Sequence, residues 1–270
     1  MRISAATRLG VVLGDPVDHS ISPQLHNAAF AALAVDAVFV AVRVGRAELA
    51  GAVSMLRATG AVGASVTIPH KTAVIDCCDR LAKSAEDVGA VNCIAFEGTE
   101  IVGHNTDAPG FVASLAARFE APEGGWKPLV LGGGGAARAV SVGLGGARVV
   151  VRDPSKVSWT DAEPWTEDSL AALLPNCNLV IDCTPVGLSA ESEARIPAPI
   201  DLGLCPDRTV VSSLVYHRET DLVAGARQRG LETLDGRGML IHQALGALEI
   251  WLGRAPVADV LWNAWPDKTA

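Results

Sequence analysis

The chain has 270 residues, 49% of them hydrophobic and 19% charged, which is the composition of a folded globular protein rather than a disordered one. Its net charge of −8 argues against a nucleic-acid-binding surface but leaves room for a small anionic ligand. No apolar run approaches the roughly 18 residues a membrane span needs.

The start, Met1-Arg2-Ile3-Ser4, lacks the apolar stretch of an export signal, so a cytoplasmic chain is expected. The six cysteines show no C-x-x-C pair and no zinc spacing. They read as small buried thiols of a reducing compartment, and no metal site is expected.

Short β-branched runs alternate with Ala- and Leu-rich stretches. Residues 9–13 read as a strand that stops at Gly14-Asp15-Pro16, and 23–33 as a helix. A strand at 38–44, a helix at 47–58, a strand at 64–67 and a helix at 71–81 follow. Such alternation predicts parallel βαβ units. The pattern restarts after Asp107 with a helix at 108–119 and a polar loop at 120–127 carrying Pro122, Gly124 and Gly125. Then come strands at 129–131, 148–151, 179–183 and 209–213, and a long helix at 239–253. Two α/β domains meeting near residue 107 are the simplest reading, and a cleft between two such domains is a natural ligand site.

The strand Leu129-Val130-Leu131 runs into Gly132-Gly133-Gly134-Gly135-Ala136-Ala137, a G-x-G-x-x-A pattern that opens a helix. Glycine permits the tight turn and lets backbone approach a pyrophosphate, and the helix N-terminus offers unpaired N–H groups. Four glycines alone make only a flexible loop; the strand–turn–helix setting points to a dinucleotide. The next strand ends Val151-Arg152-Asp153-Pro154-Ser155-Lys156. An acidic residue there suits the ribose hydroxyls of NAD, whereas cations suit the 2′-phosphate of NADP. Both signals occur, and Arg152 with Lys156 against Asp153 tips the balance towards NADP(H).

Four segments of the first 107 residues carry polar groups that a fold alone does not require. They are residues 14–27 (with His19, Ser20, Ser22, His26), 65–71 (Ser65, Thr67, His70, Lys71), 89–93 (Asn92) and 103–110 (His104, Asn105, Thr106, Asp107). Each has a plain structural explanation. Ser20 and Ser22 are placed to cap the next helix, Lys71 to be a solvated lysine and Asp107 to be an N-cap. Together, ahead of a glycine loop, they form a pattern.

That pattern resembles the shikimate dehydrogenase family, with its G-x-P-x-x-H-S-x-S-P-x-x-H-N, N-V-T-x-P-x-K, G-A-V-N-T and N-T-D-x-x-G segments. The likeness continues at 178–188 (N-A-T-P-x-G-M), at Tyr216 with Thr220 (Y-x-P-x-x-T) and at 236–244 (G-x-x-M-L-x-x-Q-A). It implies an N-terminal α/β substrate domain (1–107), with a C-terminal helical segment (239–270) packed back on it. A Rossmann-like NADP-binding domain (108–238) would complete the chain, with a cleft between the two. The implied activity is NADPH-dependent reduction of 3-dehydroshikimate to shikimate.

The resemblance implies that Lys71 and Asp107 are the catalytic pair and that Ser20, Ser22, Thr67, Asn92, Tyr216 and Gln243 bind substrate along with them. It further implies cofactor contacts at Gly132, Gly133, Gly134, Gly135, Ala136, Arg152, Lys156, Thr184, Leu214 and Gly236. A lysine can supply the positive charge and the proton that a developing alkoxide needs. The histidines within these motifs then read as structural. A monomer or homodimer is expected, with a small-molecule substrate as partner.

The chain also departs from the family. Ser65 stands where Asn is usual, Cys93 for Thr, Val151 for Asn, Asp153 for a small hydroxyl residue and Ser213 for Asp. His217-Arg218 replaces a residue–Pro pair. The helix after the glycine loop, 137–145, is about one turn short, and the helix expected after the phosphate-binding turn is missing. Two alternatives follow: a quinate/shikimate dehydrogenase that prefers NAD, and a shikimate-binding sensor without turnover.

Overall fold

The computed structural model describes residues 3–186 and 198–266. The chain divides into two compact units, Met1–Gly110 with Leu240–Ala270, and Phe111–Met239.

The first unit runs β1 (Arg8–Gly14), α1 (Ser22–Ala32), β2 (Ala37–Arg43), α2 (Leu49–Ala58), β3 (Gly63–Val66), β4 (Arg80–Leu81), α3 (Lys83–Val88), β5 (Cys93–Glu97) and β6 (Glu100–His104). Helix α4 (Asp107–Ala116) then carries the chain into the second unit. The sheet order is β2-β1-β3-β5-β6-β4. Alternate residues of β1 feed its two faces. Val11 and Leu13 pack with Leu49, Val53 and Leu56 of α2, while Val12 joins Leu25 and Phe30 of α1.

The second unit runs β7 (Pro128–Leu131), α5 (Gly135–Gly143), β8 (Arg148–Val151), β9 (Ala162–Pro164), α6 (Glu167–Leu173), β10 (Leu179–Asp182), β11 (Val210–Ser213), α7 (Asp221–Gln228) and β12 (Glu232–Leu234). All pairs of its sheet are parallel, in the order β12-β11-β10-β7-β8-β9. Counted within the unit this is the 3-2-1-4-5-6 order of dinucleotide-binding folds, whose order reverses between β7 and β10. The inner strands β7, β8, β10 and β11 are short, mostly apolar runs largely buried on both faces, as parallel sheets require, while the edge strands β9 and β12 are more polar and more open. Helix α8 (Gly236–Leu252) then returns the chain to the first unit, which ends in α9 (Ala258–Asn263).

The α/β class and the glycine turn between β7 and α5 agree with the sequence reading. Helix α5 has nine residues, and a 3-10 turn at Pro154–Lys156 stands where a helix would follow β8. Two expectations fail in the first unit. Residues 71–81 form a 3-10 turn at Ala73–Cys77 followed by β4, not a helix. The chain is drawn out there because Asp79 N donates to Ile101 O and Asp79 Oδ2 accepts from Ile101 N, which ties the segment to β6. The sheet is also mixed rather than parallel, since β5 pairs antiparallel with both β3 and β6. Of the segment 178–188 singled out in the sequence, Gly187 and Leu188 lie outside the described residues.

Candidate active site

Asn105 makes the first unit's site possible. Its Oδ1 accepts from Asp107 N at 3.1 Å and Ala108 N at 3.2 Å, capping α4. Asp107 is therefore released from the capping role its position suggests. Its Oδ2 lies 2.6 Å from Lys71 Nζ and its Oδ1 accepts from Asn92 Nδ2 at 2.8 Å. The lysine side chain keeps 18% of its exposure and the aspartate 6%, so the pair is mostly withdrawn from water, with the cation the more open end. Asn92 is pinned in turn, because its Oδ1 accepts from Thr106 N at 2.7 Å and its Nδ2 also reaches Thr106 Oγ1 at 2.9 Å. Backbone bonds set the strands beneath: Val66 N donates to Asn92 O, and Val91 N to Lys71 O.

Gln243 of α8 joins this group, with its Oε1 3.4 Å from Asn92 Nδ2. Gly110 lets it approach, since a Cβ there would lie 2.8 Å from Gln243 N. Thr67 follows β3 and bonds through N to Leu13 O, its methyl group against Gly14. Neither serine caps α1: Ser20 Oγ accepts from Ser22 N at 3.3 Å, and the helix has no side-chain cap. His70 is buried with Nε2 2.6 Å from Val44 O, and His26 is fully buried among aromatic rings. Among the described residues no group of three or more His, Cys, Asp or Glu could hold a metal ion.

In the second unit, Gly132 has φ +107, which only glycine adopts without strain, and its turn packs against Cys183 and Thr184 at the end of β10. Thr184 is held there because Asp182 Oδ1 accepts from its N at 2.9 Å and its Oγ1 at 2.6 Å. Burial pushes the Asp182 carboxyl up to about 6, against the pull of those Thr184 bonds. Gly134 precedes α5 with no side-chain cap, and nothing crowds the space a Cβ would take there. The first-turn N–H groups of α5 are thus left for an anionic group, beside Gly133, Gly135 and Ala136. These features fit the pyrophosphate of a dinucleotide.

Arg152 is exposed and makes no ion pair among the described residues, whereas Lys156 lies 3.3 Å from Asp153. Hydrogen bonds from Ser155 and Lys156 hold the Asp153 carboxyl below its ordinary value. Gly236 sits against the backbone of Leu214, with Gly236 N donating to Val215 O. Tyr216 follows in the same unit, half-buried, its hydroxyl pushed up by burial. Trp159, which carries no part of the sequence pattern, donates from Nε1 to Gly133 O at 3.2 Å and props the glycine turn. The only sequence sign of it was an indole in the segment that replaces the missing helix.

Residues 12–94 match the family model described as the shikimate dehydrogenase substrate binding domain. A shikimate dehydrogenase (NADP(+)) of Symbiobacterium thermophilum is 41% identical over 274 residues, covering 94% of this chain and 92% of that relative. The chain belongs to the shikimate dehydrogenase family. Among solved structures, the shikimate dehydrogenase of Aquifex aeolicus matches with a TM-score of 0.86 and 31% identity, over 98% of this chain and 100% of that one. The Thermus thermophilus enzyme, in complex with NADP(H) and shikimate, matches at 0.84 and 30%, over 96% and 98%. As in those shikimate dehydrogenases, an α/β unit bearing the matched segment accompanies a Rossmann-like unit. The matched segment contains Ser20, Ser22, Thr67, Lys71 and Asn92.

Proposed function

We propose that this protein is an NADP-dependent shikimate dehydrogenase, reversibly reducing 3-dehydroshikimate to shikimate. The observation that carries the proposal is the chain of contacts Lys71–Asp107–Asn92 at 2.6 and 2.8 Å. A carboxylate with one oxygen on an ammonium and the other on a fixed amide keeps that ammonium aimed. NADPH, when bound, supplies the hydride. The remaining work falls to this chain's side chains.

Lys71 Nζ stabilises negative charge at the C3 oxygen and gives it a proton. In oxidation the lysine takes that proton back, and Asp107 holds it in place in both directions. Asn92, Thr67 and Gln243 would bind ring hydroxyls, Ser20 and Ser22 the carboxylate, and Tyr216 the carboxylate end. In the second unit, Gly132 to Ala136 with Thr184 would hold the pyrophosphate side of NADP. Arg152 and Lys156 would hold its 2′-phosphate, and Leu214 with Gly236 its nicotinamide end.

The net charge of −8 and six free cysteines suit a cytoplasmic enzyme acting as a monomer or homodimer. No helix among the described residues is long and apolar enough to cross a membrane.

Steady-state oxidation of shikimate with NADP⁺ and NAD⁺ in parallel, and of quinate with both, tests the assignment. The expected result is turnover of shikimate with NADP⁺ as the preferred acceptor. Lys71→Ala should reduce kcat by about a hundredfold or more, in the range of acid–base catalysis, and change KM for shikimate far less. Shikimate binding with no turnover in the wild type would identify a sensor instead.

A further inference from the structure

We propose, on the reading of this site as the one that binds shikimate, that Thr106 is a positioning residue of the substrate pocket. Its hydroxyl takes the second amide hydrogen of Asn92 and so keeps Gln243 Oε1 open to accept from a substrate hydroxyl.

A primary amide nitrogen has two hydrogens to give. Asn92 Nδ2 has three acceptors within reach: Asp107 Oδ1 at 2.8 Å, Thr106 Oγ1 at 2.9 Å and Gln243 Oε1 at 3.4 Å. The amide cannot turn over to escape this competition. Its Oδ1 accepts from Thr106 N at 2.7 Å, so a flip would set Nδ2 against that N–H and Oδ1 against the Asp107 carboxylate. The two nearer acceptors take the two hydrogens. Gln243, beyond the usual length of an N–H···O bond, is left over.

Gln243 is held by its other end. Its Nε2 donates to Leu240 O at 2.8 Å, which leaves Oε1 on the Asn92 side. The side chain is buried, and a buried carbonyl with only one long contact is poorly satisfied. A ligand hydroxyl that donates to Oε1 supplies the missing bond.

Thr106 itself is buried between β6 and α4. Its methyl faces α8, where a Cβ on Gly246 would lie 3.4 Å from Thr106 Cγ2. Gly246 stands three residues after Gln243, so one face of α8 both packs on the threonine and carries the glutamine. A branched side chain with its methyl on the helix and its hydroxyl on Asn92 has little χ1 freedom. Valine would keep that shape without the acceptor, and serine would keep the acceptor without the methyl.

The test compares Thr106→Val, Thr106→Ala and Thr106→Ser in the full-length protein, with Gln243→Ala alone and combined with Thr106→Val. Should the valine variant fail to fold, as its urea midpoint would show, the alanine variant takes its place in both arms. Crystal structures of the valine and alanine variants should show Asn92 Nδ2 drawn in to about 2.9 Å from Gln243 Oε1, and serine should keep the longer gap. In steady-state oxidation of shikimate, valine and alanine should raise KM about three- to tenfold, the value of one neutral hydrogen bond, with a smaller change in kcat. Serine should recover most of the wild-type KM. With Gln243 already replaced by alanine, Thr106→Val should add little further. Thr106 has no such role if the gap between Asn92 and Gln243 is the same in the valine variant as in the wild type. It also has none if Thr106→Val raises KM by the same factor with and without Gln243. A gap that closes as expected in a protein whose wild type does not turn over shikimate would count for the positioning role and against the reading of the site.

Discussion

Asn92 Nδ2 lies 2.8 Å from Asp107 Oδ1, while Lys71 Nζ takes the other oxygen of the same carboxylate at 2.6 Å. The amide therefore decides which way the carboxylate points, and the carboxylate decides where the ammonium stands. Asn92→Ala removes the donor and strands the buried Thr106 N–H that Asn92 Oδ1 accepts. The expected cost is about 1–3 kcal/mol of stability, the penalty of one unsatisfied buried group, with at least a tenfold fall in kcat. Asn92→Asp keeps the acceptor for Thr106 but sets a second carboxylate against Asp107. It should recover stability better than activity, as urea midpoints and shikimate kinetics on both variants would record.

Arg152 and Lys156 stand in one turn but differ in freedom. Lys156 is 3.3 Å from Asp153, and Arg152 makes no ion pair among the described residues. If the turn receives the 2′-phosphate of NADP, Arg152 carries most of the contact. Arg152→Ala should raise KM for NADP⁺ about ten- to a hundredfold, the value of a charge-assisted bond, and leave NAD⁺ kinetics nearly unchanged. Lys156→Ala should have the smaller effect. Equal losses with both cofactors would remove the phosphate from the explanation.

The two units were legible in the sequence to different degrees. The second is parallel throughout, so its inner strands are short apolar runs and the glycine turn marks where the first one ends. The first breaks its own rhythm. Residues 93–104 form a hairpin turning at Gly98, and β4 reaches the sheet edge by pairing with β6, reinforced by Asp79 on Ile101, contacts between segments distant in the chain. Lys71 and Asp107 were visible as residues, and Asn92 as part of a motif. That Asn105 performs the capping, leaving Asp107 free, depends on a local turn that residue types alone do not specify. Trp159 under the glycine turn and Trp251 bonded to Ile94 were out of reach for the same reason.

His26 makes the stability of the first unit sensitive to acid. Its ring stacks on Phe39 at 4.1 Å and tilts against Trp251 at 5.2 Å, and neither ring nitrogen has a hydrogen-bond partner among the described residues. Burial pushes its pKa down from 6.5 to about 3. The unfolded chain takes up a proton near 6.5 that the folded chain refuses until about 3, so stability falls as pH drops through that window. The slope is up to about 1.4 kcal/mol per pH unit.

Asp182 in the other unit acts oppositely. Its folded value of about 6 exceeds the ordinary 3.8, so its contribution is full below 3.8 and is lost as pH rises through 6. Hydrogen exchange of the β1–β3 amides between about pH 7 and 4.5 should show the first unit losing about 2–3 kcal/mol, a figure that follows from the one-proton slope. His26→Phe should remove most of that loss, and Asp182→Asn should leave it intact.

Gly63 lies against the indole of Trp251, and a Cβ at that position would overlap the ring nitrogen and two ring carbons. The indole cannot slide away freely, because Nε1 donates to Ile94 O at 2.9 Å and the ring is wedged beside Phe39 and His26. Gly63→Ala should therefore cost about 1–3 kcal/mol through overpacking, more if the Ile94 bond breaks. Trp251→Leu opens the space at its own cost, and in that background the added methyl should be nearly neutral. The coupling between the two changes, read from urea midpoints of the four proteins, should then be about as large as the Gly63→Ala penalty itself. If Gly63→Ala costs the same with and without the indole, the strain lies in the β3 backbone and not against Trp251.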